Sequence, residues 1–534
     1  MSSDLENPPF SEMNIIITDS SLYTAARTLA LYHEDQGFST TVVNTSWIYA
    51  HYEAADPPDF NGYKDTILSR IFIREYREIL AQKIISFLQD TASHPQLEYV
   101  TLFGNGRLVP ASYYIYSRFR NFKYLLGRIP LPDIYNNRIA TDFFYISPNY
   151  DLWPDYNVGR LPVATIEEAD HVVDKIITWQ DAVDWDWFNN VYVAGDQPNH
   201  PEEMDLDGCY AGEMIAVDAI NNNYFQGMQV DKLFWTENRF NMANISQALE
   251  QGESGFFYIM AHGMVDRWVT YPEANGYIYA EDIRNYEEKS TVPIVVSVAC
   301  MSGAFDTYCA HPFLVGRGTR SLGESILLSD GAGIAYVGTT RATLGSPIPH
   351  LMNGELSISK ERGIAGLLTY FFKAYHEGGV FLGDIVTTSI TSYVNDNVFP
   401  SSPEKDEAFI ALISYTLLGD PLLQLPEQDH EYLPSYEQPQ ITALDPNGYT
   451  SETYPRPWYA INEPMELTIS TDADVVTVKL IDIDADEVVD RQLLSVTDGE
   501  ASYTYTSTTP SRYLFRASVD DGKEGWLYVS TQYP

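Results

Sequence analysis

The sequence has few cysteines and no long apolar run. The 534 residues include three cysteines, Cys209, Cys300 and Cys309, so at most one disulfide can form and no disulfide framework supports the fold. No stretch reaches about 18 consecutive apolar residues, the length that spans a bilayer. The first residues show neither the basic nor the apolar region of a secretory leader. These absences predict a globular chain without membrane insertion.

Basic residues are scarce relative to acidic ones. The chain has 32 lysines and arginines against 74 aspartates and glutamates, a formal net charge of −42. A surface of that sign repels phosphate backbones and anionic lipid headgroups, which argues against nucleic acid and anionic membranes as partners. Cationic peptides would be attracted to it. The excess of acidic residues is explained at least as well by solubility or by adaptation to a habitat as by attraction of a cationic substrate.

Motifs for common cofactors are also missing. The sequence contains no Gly-rich phosphate loop, no set of His and Cys with zinc spacing and no internal repeat. Asp482, Asp484 and Asp486 alternate as in a calcium loop, but the loop's glycine at position six and glutamate at position twelve are absent. A hairpin turn is the preferred interpretation there, with a structural calcium ion as the alternative. No cofactor or catalytic metal is required.

Two short apolar segments each stop at a reactive side chain. The first reads Gly-Phe-Phe-Tyr-Ile-Met-Ala before His262, and the second reads Val-Pro-Ile-Val-Val-Ser-Val-Ala before Cys300. Such runs are typical of buried parallel strands, whose carboxyl ends meet at one edge of a sheet. His262 and Cys300 are therefore a candidate base and nucleophile. A cysteine after an apolar run is, by itself, more often a core residue, but a histidine at the end of the other strand favours catalysis.

The glycine that follows the histidine fits the same interpretation. Gly263 lets the backbone come close to a substrate carbonyl. The N–H groups of Gly263 and Cys300 are then candidates for an oxyanion hole, which stabilises the charge that develops during acyl transfer.

These segments resemble the gingipain-like cysteine peptidases, peptidase family C25 of the caspase-like clan. That family has a hydrophobic strand ending in His-Gly and a second ending in Ala-Cys, with a small residue and Phe soon after; here the second is Val-Ala-Cys-Met-Ser-Gly-Ala-Phe at 298–305. Further matches in the same order are Ser-Leu-Gly-Glu at 321–324, the strand 333–338 and Leu-Leu-Gly-Asp-Pro at 417–421. The resemblance covers roughly residues 14–425.

The resemblance implies roles for several residues beyond the two reactive side chains. In the family, an acidic residue at an earlier strand end lies beside the catalytic His, and Asp196 matches it. A second acidic residue about eleven positions on lines the pocket for a basic substrate side chain, where Asp207 falls, or Asp205 if the loop differs in length. A solvated acidic loop explains Asp205 and Asp207 equally well.

Two more residues are candidates for substrate contact. Trp268 lies in the segment that resembles the loop bordering the family's site, where it either lines a subsite or packs in the core. Leu344 ends the Thr-Thr-Arg-Ala-Thr-Leu segment, which replaces the family's aromatic lid, so the roof of the pocket is expected to differ.

The predicted fold is α/β, a caspase- or gingipain-like three-layer sandwich in two subdomains, followed by an all-β immunoglobulin-like domain. We place the N-terminal α/β subdomain at 1–180, the catalytic subdomain at 181–430 and the β-sandwich at 435–534. A strand at 14–18, a helix at 21–35 and a strand at 39–44 predict a parallel sheet. Helices are expected at 354–363 and 408–417, and Arg160 is expected in a buried ion pair that holds the subdomains together.

The predicted function is a cysteine endopeptidase acting on peptides or proteins, with Arg or Lys preferred at P1, the substrate residue before the cleaved bond. The alternatives are a non-catalytic surface or adhesion protein on the same scaffold and a clan member with non-basic P1 specificity. Retention of both His262 and Cys300 argues against the first alternative. The expected state is a monomer, and the resemblance favours a secreted or cell-surface location.

One segment departs from the acidic character of the chain. Between residues 107 and 138 a single acidic residue, Asp133, accompanies six basic ones: Arg107, Arg118, Arg120, Lys123, Arg128 and Arg138. The segment lies between two stretches that resemble elements of the family, and it has no clear helical or strand period. We therefore interpret it as an insertion. Exposed basic loops suit an acidic P1 pocket, which predicts self-processing here. A packed clamp of arginines and aromatics is the alternative.

Overall fold

A computed structural model of the chain gives the architecture. It describes residues 12–55, 75–115, 138–182, 184–195, 211–225, 227–269, 276–307, 320–341, 349–352, 355–358, 363–397, 407–426, 436–450, 456–485 and 487–533.

The described residues contain strands along the whole chain. They are β1 Asn14–Thr18, β2 Thr40–Asn44, β3 Tyr99–Phe103, β4 Ser112–Ile115, β5 Arg138–Thr141, β6 Asn157–Leu161, β7 Asn190–Gly195, β8 Gln229–Phe234, β9 Phe256–Met260, β10 His262–Met264, β11 Arg267–Val269, β12 Tyr277–Tyr279, β13 Ile294–Val298, β14 Ala335–Thr339, β15 Pro349–Met352, β16 Glu355–Ile358, β17 Tyr415–Leu418, β18 Gln440–Leu444, β19 Trp458–Ala460, β20 Pro464–Ser470, β21 Val475–Asp482, β22 Glu487–Ser495, β23 Glu500–Thr506, β24 Ser511–Ser518 and β25 Glu524–Gln532.

Among the described residues, helices lie only before the last eight strands. They are α1 Tyr23–Asp35, α2 Thr45–His51, α3 Glu75–Gln89, α4 Phe143–Ile146, α5 Ile166–Gln180, α6 Ala211–Asn221, α7 Met242–Gln251, α8 Ala280–Ile283, α9 Leu322–Leu328, α10 Gly363–His376, α11 Leu382–Asn397 and α12 Glu407–Ser414. Of the helices that the structure describes, none is long and apolar enough to span a bilayer.

One large sheet organises the region before residue 426. Among the described strands it has ten members, in the order β2-β1-β3-β6-β17-β14-β13-β9-β7-β8. Neighbouring strands are parallel except β14 and β17, which are antiparallel. The sheet therefore consists of two parallel halves of five strands that run in opposite directions. The strands of both predicted subdomains join in this one sheet.

Helices cover both faces of the sheet. Along β13, Ile294, Val296 and Val298 belong to one apolar core, and Val295 belongs to a second core on the other face. The first core includes residues of α1, α5, α10 and α11, and the second includes residues of α7, α8 and α9. Strands buried on both faces need apolar side chains at every position, which explains the continuous runs. This arrangement confirms the predicted three layers.

The predicted opening of the chain is confirmed, one helix prediction is wrong, and another helix is present but ends three residues early. The strands β1 and β2 pair in parallel across α1. The segment predicted as a helix at 354–363 contains β16, and the segment 408–417 is α12 followed by β17. In β16 polar and apolar residues alternate, which is typical of a strand, whereas the short apolar run 415–418 fits a helix and a strand equally well and is decided by its pairing in the large sheet.

Arg160 on β6 is fully buried and ion-paired, as predicted. Its Nε and Nη2 donate to the two oxygens of Asp142 at 2.6 and 2.7 Å. Its guanidinium lies 4.2 Å from the ring centroid of Phe305, just after the segment that carries Cys300. Arg160 thus connects the first half of the sheet to the region around Cys300.

The last hundred residues form two packed sheets. One contains β18, β20 and β23, and the other contains β25, β24, β21 and β22 together with the hairpin β15–β16. Their inner faces share an apolar core of their own. This arrangement agrees with the all-β domain predicted for 435–534, and the turn predicted at the aspartates joins β21 to β22.

A buried ionic cluster joins this β-sandwich to the large sheet. Arg516 on β24 donates to Glu213 of α6 at 2.7 Å and to Glu524 of β25 at 2.8 Å. Lys232 of β8 donates to the other oxygen of Glu524 at 2.6 Å. Glu213, Glu524 and Arg516 are 0, 4 and 2% exposed. Each charge in the cluster therefore depends on its partners, because water does not solvate it.

We expect Arg516→Leu to lower the free energy of unfolding by about 3–5 kcal/mol, because it leaves Glu213 and Glu524 buried without their main counter-charge. Urea unfolding followed by tryptophan fluorescence measures the change. Arg512→Leu on the same strand is the matched control. Its pair with Asp484 is partly exposed, and such pairs contribute about 1 kcal/mol or less. Equal losses in the two variants would contradict the role of the cluster.

Candidate active site

The two predicted strand ends lie side by side at one edge of the large sheet. The strands β9 and β13 are parallel neighbours, and Met260 at the end of β9 pairs with Val298 at the end of β13. His262 and Cys300 each follow these paired residues by two positions. Beyond the strand ends, the Ala261 N–H still donates to the Val298 carbonyl at 3.2 Å, so the two segments are adjacent up to the residue before this histidine. His262 is exposed and Cys300 is half-buried, so both are accessible from this edge.

Gly263 packs directly against the backbone of Cys300. A Cβ atom built on Gly263 would lie 2.4 Å from the Cys300 carbonyl oxygen and 2.9 Å from its nitrogen. Real side chains do not approach backbone atoms so closely, and only glycine fits here. Gly263 thus makes a close approach to the peptide unit of Cys300, and its predicted approach to a substrate carbonyl stays a prediction.

A small antiparallel sheet carries His262. In this sheet β10 pairs with β11 and β11 pairs with β12. Alternation along β10 places His262 and Met264 on the exposed face and Gly263 opposite Trp268. The Met264 side chain, 43% exposed, and the histidine thus form one accessible surface.

Trp268 is a core residue. It has no exposed surface, its ring stacks on Phe257, and its indole Nε1 donates to Ser297 Oγ at 3.0 Å. The structure thus corrects the substrate-contact assignment in favour of the packing alternative, because the ring lies beneath the site.

Hydrogen bonds from the segment at the end of β14 fix the turn after Cys300. Met301 has a positive φ of 59°, and its N–H donates to the carbonyl of Arg341 at 3.2 Å. The N–H of Gly303 donates to the carbonyl of Thr339 at 2.8 Å. The chain therefore reverses sharply just after Cys300, which lies beyond the end of β13.

A buried ion pair that sequence reasoning missed lies behind this turn. The two terminal nitrogens of the Arg341 guanidinium, Nη1 and Nη2, donate to Asp306 at 2.9 and 2.6 Å. The Tyr113 hydroxyl of β4 donates to the same carboxylate at 3.0 Å. The pair links the turn after Cys300, the segment after β14 and the small sheet formed by β4 and β5. In the sequence, this ion pair is indicated only by one charged residue in each of two segments that are otherwise uncharged.

Four of the predicted site residues lie outside the described residues: Asp196, Asp205, Asp207 and Leu344. The end of β7 is nonetheless informative for Asp196. Gly195, the last residue of β7, pairs with Met260 of β9. The chain thus leaves β7 at the edge where His262 lies, and the role of Asp196 stays a prediction. Within the described part of the chain, no group of three or more His, Cys, Asp or Glu is arranged to hold a metal ion.

Solved structures show the same fold. The crystal structure of the Arg-specific cysteine proteinase gingipain R matches with a TM-score of 0.52 and 14% identity over 99% of this chain and 100% of that one. A complex of the pro- and mature domains of Porphyromonas gingivalis RgpB matches with a TM-score of 0.53 and 14% identity over 97% of this chain and 100% of that one. At this identity the match shows the architecture.

Sequence comparison identifies the family. An uncharacterised protein of Archaeoglobus fulgidus is 29% identical over 350 residues, which cover 62% of this chain and 76% of that protein. The model for peptidase family C25 matches residues 8–426, a stretch that includes both strand ends and the turn after Cys300. The chain therefore belongs to peptidase family C25.

Proposed function

We propose that this cysteine peptidase is an endopeptidase in which Cys300 is the nucleophile and His262 the acid and base. The observation that carries the proposal is the register of β9 and β13, with Gly263 packed on the Cys300 backbone. Adjacent parallel strand ends hold two side chains within reach of one substrate bond, and backbone positions of this kind are rigid.

The proposed reaction has two steps. The Cys300 thiolate attacks the scissile carbonyl carbon, the C–N bond breaks, and His262 gives a proton to the leaving amine. His262 then takes a proton from water, which attacks the thioester and releases the acid. The N–H groups of Gly263 and Cys300 stabilise the oxyanion in both steps. Asp196, one residue beyond β7, would orient His262 or stabilise its charge.

The proposed specificity is for Arg or Lys at P1. Support comes from the acidic residues of segment 196–210, from the net charge of −42 and from the Arg specificity named for the gingipain R structure that shares this fold. A buried carboxylate is costly without a cationic partner, so a pocket lined by Asp207 or Asp205 selects a basic side chain by roughly 2–5 kcal/mol.

Acyloxymethyl ketones that differ only in their P1 residue test both proposals. These reagents alkylate a catalytic thiolate after binding as a substrate does. We expect modification of Cys300, located by mass spectrometry, at rates about 30-fold to several-thousand-fold higher for Arg or Lys than for Leu or Asn, as the 2–5 kcal/mol predicts. Labelling of Cys209 or Cys309 instead would contradict the nucleophile.

Charge variants in the same segment locate the pocket. Asp207→Asn or Asp205→Asn should remove most of the discrimination, whichever lines the pocket, and Glu202→Gln should retain it as the matched loss of one charge. If both Asn variants kept the full preference for Arg, the pocket assignment would be wrong. A wild-type preference for Asp, Asn or Leu would contradict basic specificity and leave the nucleophile assignment intact.

We also propose self-processing within residues 107–138. The flanking strands β4 and β5 pair with Ser112 opposite Thr141 and Ile115 opposite Arg138. The intervening residues thus leave and re-enter the fold at one place, so a cut between them would leave β4 and β5 paired.

Incubation of the wild-type protein beside Cys300→Ala tests the self-processing. New N-termini after Arg118, Arg120 or Lys123, found only in the active protein, are the expected result. A wild-type chain that stays intact and is fully active from the first minute would contradict the proposal.

A further inference from the structure

A chain of buried hydrogen bonds ends on the peptide unit of the nucleophile. Trp268 Nε1 donates to Ser297 Oγ at 3.0 Å, and Ser297 interacts in turn with the Tyr336 hydroxyl. Tyr336 Oη lies 2.5 Å from Ser302 Oγ, which donates to the carbonyl of Ala299 at 2.9 Å. All five residues are 2% exposed or less. Water therefore does not compete for these bonds, and each is more rigid than a surface bond.

The direction of the last two bonds follows from the number of protons available. Ser302 has one hydroxyl proton, which it uses on the Ala299 carbonyl, so the Tyr336 hydroxyl must donate to Ser302. Burial raises the pKa of Tyr336 to about 12, so this hydroxyl keeps its proton at neutral pH. The phenol thus holds the serine in the orientation in which it donates to the carbonyl.

A second hydroxyl reaches the same oxygen from the neighbouring strand. Thr339 Oγ1 at the end of β14 donates to the Ala299 carbonyl at 3.0 Å. Thr339 is fully buried, and its own carbonyl accepts the N–H of Gly303, so its position is fixed from both ends. The Ala299 oxygen therefore accepts one bond at each of its two lone pairs.

Fixing this carbonyl also fixes the N–H of Cys300. The Ala299 carbonyl and the Cys300 N–H belong to one planar trans peptide unit, in which they point in opposite directions. If this unit rotated, the N–H would turn away from the substrate oxyanion and the carbonyl oxygen would approach it. Two hydroxyl donors on the carbonyl oppose that rotation before substrate arrives.

We propose that Ser302 and Thr339 are positioning residues that preorganise the oxyanion hole by holding the Ala299–Cys300 peptide unit, with Tyr336 supporting Ser302. The inference rests on the proposed function, in which the Cys300 N–H binds the oxyanion. Preorganised donors are effective because they need no reorganisation when charge develops, so a loss of positioning should reduce kcat more than substrate binding.

The test compares peptide hydrolysis with alkylation in Ser302→Ala, Thr339→Val and the double variant. We expect kcat to fall about 10-fold in each single variant and about 100-fold in the double variant, with little change in KM. The rate at which iodoacetamide alkylates Cys300, followed by mass spectrometry of its peptide, should stay the same. Displacement of iodide at a saturated carbon forms no oxyanion, so this rate reports only on the thiolate.

Two further variants separate positioning from a general loss of structure. Thr339→Ser keeps the hydroxyl and should retain most of kcat. Ser389→Ala removes an equally buried hydroxyl that donates to the Val386 carbonyl at 2.6 Å on α11, and it should leave kcat unchanged.

Four outcomes would overturn the inference, the last of them together with the proposed function. A double variant with the wild-type kcat would show that the two hydroxyls do not position the peptide unit. Equal losses in hydrolysis and alkylation would show that they act on the thiol or on folding. Thr339→Ser as impaired as Thr339→Val would exclude the hydroxyl as the cause. A wild-type protein that cleaves no peptide and is not labelled at Cys300 would contradict the proposed function itself, and the positioning role with it.

Discussion

Cys300→Ala is expected to reduce peptide hydrolysis by a factor on the order of 10⁴ to 10⁶ and to leave the fold intact. The variant removes the only atom that can form the thioester. The half-buried thiol is replaced by a smaller methyl group, so packing changes little. His262→Ala should have a similar effect, because an exposed side chain is lost from the surface while proton transfer to the leaving amine is abolished. The measurement is kcat/KM on a peptide substrate, with circular dichroism and Tm recorded for each variant.

The other two cysteines provide the control. Neither Cys209 nor Cys309 follows a buried apolar run beside a histidine in the sequence. Cys209→Ala and Cys309→Ala should therefore retain activity near the wild-type level. Turnover by Cys300→Ala at the wild-type rate, or an equal loss in all three cysteine variants, would refute the nucleophile assignment.

The parts of the site that could be predicted are those that depend on consecutive residues. Five-residue apolar runs rich in β-branched and aromatic side chains predict buried strands, and β9 and β13 are such runs. The residue that ends each run is then at the sheet edge. The strand end at Gly195 was predictable for the same reason, because it is local.

The parts that were not predictable depend on contacts between distant segments. The antiparallel join of β14 and β17 depends on a segment, 415–418, whose apolar residues fit a helix equally well. The ion pair of Asp306 and Arg341 connects residues 35 positions apart, and the bond between Ser302 and Tyr336 connects residues 34 apart. No sequence period marks such pairs. Trp268 illustrates the same limit, since whether a tryptophan lines a cleft or packs beneath it depends on its neighbours.

The close contact between Gly263 and Cys300 lies between these two cases. The sequence predicts a glycine whose backbone comes close to a substrate carbonyl. The structure shows a different close contact of this glycine, with the backbone of Cys300. The two candidate oxyanion donors thus lie on chain segments that touch, so any change that separates the segments disturbs both donors and the distance from His262 to Cys300 together.

Gly263→Ala is accordingly expected to lower kcat/KM by about 10²- to 10³-fold. The new Cβ would lie 2.4 Å from the Cys300 carbonyl oxygen, 2.9 Å from its nitrogen and 2.9 Å from the Ala299 Cβ. Two of these are backbone atoms at the end of β13, and they cannot move aside as a flexible side chain can. The segment carrying His262 must instead shift away from Cys300, and a displacement of about 1 Å at a catalytic group costs on the order of 10²-fold in rate.

Gly378→Ala is the control for Gly263→Ala. Nothing lies within 4 Å of a Cβ built on Gly378, but its φ of +103° is unfavourable for alanine. We therefore expect it to lower the free energy of unfolding by about 1–2 kcal/mol while kcat/KM stays near the wild-type value.

A crystal structure of Gly263→Ala should show β10 moved away from Cys300. Full activity in Gly263→Ala would mean that the segments carrying His262 and Cys300 are not in contact during catalysis, and the proposed oxyanion hole would then have to be abandoned.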